Sequence, residues 1–218
     1  MKHTIIVCAI AMAAMTGCSS PAENKTETVA TTTDSATTVK TEETAPPPPP
    51  MDSAAMMKAM MEYSTPGDMQ KMLASMDGKW ETEVTTMMDP SKPAEKSKGS
   101  TVNKMIMGGR YQQSMHSGNM MGMPFEGMSI TGYDNSKKVF VNTWVDNMGT
   151  GIMTMEGPYD AATKTIELKG KSTDPSTGKD CITRETLKII DDKNQYMEMF
   201  VTQGGKEMKM MEIKYTKK

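Results

Sequence analysis

The 218-residue chain is short of several residue types that carry chemistry. It has 3 Cys, 2 His and only 5% aromatic residues. Cysteines and histidines this few and scattered exclude a zinc finger, a four-cysteine metal cluster and a disulfide framework. No apolar run reaches the ~18 residues that a membrane-spanning helix needs. Neither sign of charge dominates: 25 Lys and Arg stand against 27 Asp and Glu, a net charge of -2. Nothing therefore marks a nucleic-acid binder. There is no Gly-x-Ser-x-Gly, no His-Glu-x-x-His and no phosphate loop, so no enzyme is expected and no catalytic residue is assigned. Leucine is also scarce, with Leu73, Leu168 and Leu187 the only three, whereas Met occurs 28 times.

What is present begins at the N-terminus. Lys2 and His3 precede an apolar stretch from Ile5 to Met15, which has the length of a signal-peptide core. It leads into Met15-Thr16-Gly17-Cys18, small residues before a Cys, which resembles a bacterial lipobox with Met where Leu is commoner. The resemblance implies a signal peptide over 1–17, lipidation and N-acylation (palmitate) at Cys18, and a membrane partner through that anchor. The expected location is a bacterial cell envelope, specifically the outer membrane of a Gram-negative cell. Three acyl chains exceed the two signals that stable anchoring requires. Residues 19–50 are rich in Thr, Ala, Glu, Ser and Pro and end in the run Pro46–Pro50. With almost nothing apolar to bury, the segment 18–50 reads as a disordered tether ending in stiff polyproline.

Residues 51–218 hold every aromatic residue. Met56, Met57, Met60 and Met61 recur at helical spacing behind a cap at Asp52 or Ser53, and this spacing favours packing. A second helix is expected from Pro66 to about Met76, with Met69, Met72, Leu73 and Met76 as its apolar stripe. These two form a helical segment, 51–77. From 78 to 218 the pattern is strand and turn. Trp80, Val84 and Met88 share a face, Met105 and Met107 follow at period two, and Tyr111, Gln113 and Met115 alternate with polar neighbours. Further runs are 128–133, 139–145, 152–156, 165–168, 181–190, 196–202 and 208–215. The turns between them carry hairpin chemistry, as in Asp134-Asn-Ser-Lys-Lys, Asp160-Ala-Ala-Thr-Lys and Gly204-Gly205. Short strands joined by short turns predict an all-β antiparallel meander. An up-and-down barrel of about 8–10 strands removes exposed edges and is the first architecture; a sandwich is the second.

An ordered set of short motifs adds to this. Gly78-Lys79-Trp80 opens the first strand, and Gly108-Gly109-Arg110-Tyr111 follows a hydrophobic strand. Pro124-Phe125-Glu126-Gly127 leads into Gly132-Tyr133-Asp134. Trp144-Val145-Asp146-Asn147-Met148-Gly149-Thr150 comes next, then Glu156-Gly157 and the tail Glu212–Lys217. In order and spacing the set resembles the bacterial family known as domain of unknown function 1579, over about residues 66–217. The resemblance implies a lipocalin-like barrel, often secreted or lipoprotein-bound, with no assigned activity. Its motifs mark Trp80, Arg110, Tyr111, Tyr133, Trp144 and Asp146 as ligand-contacting or barrel-building residues. The Gly-x-Trp start also resembles the lipocalin signature, which implies that Trp80 packs at the closed end against an Arg. Arg110 and Arg184 are the only two available, and such a cation–π stack is worth roughly 0.5–2 kcal/mol. Asp146 is read as fixing a turn at the barrel rim. Cys181 is read as a small core residue.

Most of the methionines fit core positions where Leu would serve. One cluster does not: Met115, His116, Met120, Met121 and Met123 sit in a Gly-rich hairpin. Thioethers and imidazole are the soft ligands that select Cu(I), so this loop is the alternative functional site. Exposed Met acting as an oxidant sink is a third reading. A lone His can hold haem, but no accompanying motif points to one, and no cofactor is expected. The leading expectation is non-catalytic binding of a small apolar or amphipathic molecule in a barrel cavity. It rests on architecture, since small closed barrels either fill their interior or hold a ligand. The remaining reading is a structural or partner-binding envelope module without a ligand.

Overall fold

The computed structural model describes residues 52–87, 91–174 and 177–218. The expected signal peptide, Cys18 and the expected tether lie outside the described residues.

Two helices precede the strands. Helix α1 spans Ser53–Ser64, and its start is capped by the Asp52 carboxylate, which accepts from the Ala55 N–H at 2.8 Å. Its periodicity forms the expected helix but not the expected packing. None of its residues is buried, and Met56, Met57, Met60 and Met61 are 51–61% exposed. Among the described residues, the hydrogen bonds that tie it to the rest of the fold lie near its C-terminal end. There the Asn135 amide donates to the carbonyls of Glu62, Tyr63 and Thr65, and Arg110 Nε donates to that of Ser64. Helix α2, Asp68–Ser75, begins two residues later than the sequence suggests. Gln70 caps it by accepting from the Gly67 N–H (2.8 Å) and donating to the Tyr133 carbonyl (3.1 Å).

Ten long antiparallel strands follow: β1 Gly78–Thr86, β2 Glu95–Ile106, β3 Tyr111–Met120, β4 Met123–Asp134, β5 Val139–Asp146, β6 Met153–Gly157, β8 Thr165–Thr173, β9 Asp180–Ile189, β10 Asn194–Gln203 and β11 Lys206–Lys217. A two-residue strand, β7 (Tyr159–Asp160), lies between β6 and β8. Strand β2 starts well before its apolar residues, and Met107 falls in the turn after it with φ 51° rather than on its face. Except for β6 and β7, each strand pairs with its neighbour in sequence, and two further pairings close the sheet. β6 pairs with β8 around β7, and β1 pairs with β11 in the register Trp80↔Lys217 to Thr86↔Met211. The result is a closed up-and-down barrel, so the long strands have neighbours on both sides. At the β6–β8 seam the backbones approach so closely that a Cβ on Gly170 would overlap the Thr154 carbonyl, which only glycine avoids.

Helix α2 plugs one end. Leu73 and Met76 join Trp80, Phe140, Met155, Ile166 and Leu168 in a fully enclosed core. The carbonyls at the end of α2 would otherwise be orphaned in this apolar setting. Barrel side chains satisfy them: Trp80 Nε1 donates to Met76 O (2.9 Å), Asn103 to the same oxygen (3.1 Å), Gln112 to Leu73 O (2.6 Å) and Lys217 to Ser75 O (2.9 Å). Trp80 therefore packs at the closed end, but its cationic partner is not an arginine. Lys217 lies 5.4 Å from the ring centroid, while Arg110 and Arg184 are on the outer wall.

Candidate functional site

Register decides which side chains enter the barrel, because residues directly opposite on paired strands point to the same face. Trp80 is opposite Thr101, Thr101 opposite His116, His116 opposite Gly127, and Gly127 opposite Asp146. All of these face the lumen. The same chain of pairs places Ser114, Ser129 and Trp144 inside, and on the far wall Leu168, Glu185, Met199 and Met211.

Away from the α2 plug the lumen changes character. His116, Phe125, Trp144, Asp146, Glu185, Met199 and Met211 all keep part of their surface accessible, unlike Trp80 and Phe140 at the plug. Three rings gather here. His116 and Trp144 have centroids 5.0 Å apart, and Phe125 stacks on Trp144 at 6.3 Å. Gly127 makes room for the indole: a Cβ there would come within 2.6 Å of Trp144 Cη2. Trp144 Nε1 donates to one Asp146 oxygen at 2.6 Å, and the other oxygen accepts from the Met148 N–H at 2.9 Å. Asp146 thus fixes the turn after β5 and orients Trp144 at once. His116 Nδ1 shares a hydrogen bond with Thr101 Oγ1 at 2.9 Å, and burial lowers its pKa to about 4, so the ring is neutral near pH 7.

Glu185 is the residue that sequence reading missed. It lies half-buried on the inner face of β9 between Leu168 and Met199, and burial raises its carboxyl to about 7. Tyr215, also lumen-facing, is pushed well above the usual phenol range, first by burial and then by the Glu185 charge. The signal was the alternation Cys181, Thr183, Glu185, Leu187, which puts Glu185 on the inward face of β9 and Arg184 and Lys188 outside.

The other anticipated residues separate. Tyr133 packs edge-on against Phe140 (5.0 Å) near the plug. Tyr111 is on the outer wall, where with Tyr63, Pro66, Arg110, Ile130 and Val141 it lines an external groove of about 560 Å³ beside the end of α1. Cys181 is buried and free. The methionine–histidine set straddles the wall. Met115 faces outward, 48% exposed, and His116 inward. Met120 and Met123 pair at the rim across the turn Met121-Gly122, whose φ values are 52° and 76°. Beside them, Thr86, Ser97 and Met120 help line a rim recess of about 90 Å³. Among the described residues no group of three or more His, Cys, Asp or Glu could hold a metal ion.

The model of the protein family of unknown function DUF1579 matches residues 65–217, which takes in α2 and the whole barrel. The chain belongs to this family. No curated protein matches it. Among solved structures the DUF1579 barrel is similar to Rv2717c from M. tuberculosis, with a TM-score of 0.55 and 12% sequence identity over 71% of this chain and 99% of that one. At that identity the likeness extends to the barrel fold alone.

Proposed function

We propose that this DUF1579 barrel is a non-catalytic carrier that holds a small apolar or amphipathic molecule in its lumen. The observation behind this reading is the asymmetry of the interior. One end is sealed by α2 and closely packed, whereas beyond it aromatic, thioether and carboxylate side chains point inward and stay partly accessible. A barrel built only for stability would bury those side chains, since close packing is the general condition of protein interiors. We further propose that the barrel works at an envelope membrane, tethered through Cys18. Support comes from the lipobox-like start and the tether composition.

Trp144 provides the test. It is one of two Trp and the only one in the accessible part of the lumen. In a Trp80→Phe background its emission should shift when N-phenyl-1-naphthylamine, a neutral apolar probe, is added, with energy transfer to the probe. Binding that leaves Trp144 emission unchanged would place the probe in the outer groove and end the lumen reading.

A further inference from the structure

The lumen contains a carboxylate with no counter-charge. At inward register positions the described strands place only two cations: Lys217, held at the sealed base over Trp80, and Lys206, at the β10–β11 hairpin tip. Neither stands beside Glu185, whose cross-strand neighbours are Leu168 and Met199. No hydrogen bond or ion pair reaches the Glu185 carboxylate among the described residues. The remaining titratable groups turned inward are His116, neutral, Asp146, already engaged by Trp144 and the Met148 N–H, Asp77 at the plug, engaged by Gln112 and the Met105 N–H, Glu95 at the rim opposite Thr86, Cys181, and the phenols of Tyr133, Tyr159 and Tyr215. The interior therefore sets an acid without a counter-charge among neutral side chains, the apolar Leu168, Met199 and Met211 and the polar Thr101, Ser114, Ser129 and Thr183.

A half-buried charge inside a barrel, without a partner, is costlier to keep than one in bulk water, and a site built around it gains most from an occupant that supplies the opposite charge. A fatty acid would bring a second carboxylate into the same low-dielectric space. A protonated amine would bring the missing cation and a charge-assisted hydrogen bond. We infer that the lumen takes an amphipathic amine, its ammonium group at Glu185 and its chain along Met199 and Met211. This rests on the lumen reading above and adds the class of ligand.

Decylamine, decanol and decanoate have equal chains and different heads, and each can be titrated into the full-length protein at pH 8 by calorimetry, with Trp144 emission followed in the Trp80→Phe background. Decylamine should bind about ten-fold or more tightly than decanol, and decanoate more weakly than both. Glu185→Gln should lower decylamine to the affinity of decanol and leave decanol unchanged. Glu185→Asp should keep the amine preference. If the three ligands bind the wild-type protein alike, the amine inference fails while the lumen reading stands. Should none of them perturb Trp144, both fail. The wild-type comparison needs no variant, so it decides even if Glu185→Gln does not fold.

Discussion

Glu185 has a thermodynamic signature of its own. Its folded pKa of about 7 lies above the ordinary value of 4.5. The folded state therefore favours the protonated form, and its contribution is fully present below pH 4.5. It is lost as pH rises to 7, by about 3 kcal/mol. Glu185→Gln should thus stabilise the unliganded barrel above pH 7 by up to about that amount and make no difference below pH 4.5, as urea unfolding at pH 4 and pH 8 would read. His116 acts in the opposite sense. Its lowered pKa of about 4 means that stability falls as pH drops from 6.5 toward 4. At the closed end, Trp80→Phe removes the donor to Met76 O and leaves a gap in the plug. It should destabilise by about 2 kcal/mol, measured by the same unfolding curves.

At the scale of elements, much of this protein was legible. Period-two alternation and Asp- or Gly-rich turns gave the strands, because a half-buried antiparallel wall imposes that pattern directly. The Asp134 turn is held as its chemistry suggests, with the carboxylate accepting from the Ser136 and Lys137 N–H groups. The lumen was less legible. Alternation divides Met115 from His116 but does not say which faces inward; that follows only from register across five strands. Helix α1 misled for a different reason. Its Met spacing is that of a packed helix, yet among the described residues no element buries that face. Mild peroxide should accordingly oxidise Met56, Met57, Met60 and Met61 well before the buried Met155 and Met197, as peptide mass spectrometry would show. Within β4, Gly127→Ala would drive a methyl into the Trp144 indole. It should cost about 1–3 kcal/mol and shift Trp144 emission by weakening the bond to Asp146.

On the scale of the whole molecule, the barrel is one cooperative wall with a closely packed end and an accessible end. Its outer surface carries separate charge networks, such as Arg184 between Glu207 and Glu167 and over the Phe200 ring at 4.0 Å. These pairs are partly exposed and add little stability individually. The pairing of β1 with β11 has a further consequence. The first long strand of the wall can be completed only by the last one, since Trp80 waits for Lys217. A chain leaving the ribosome therefore carries an open sheet with two raw edges until β11 emerges. Closure is a late event with a large loop entropy behind it, and such topologies fold slowly. During that interval an unclosed edge can pair with a neighbouring copy as well as with its own β11, so association between chains competes with closure.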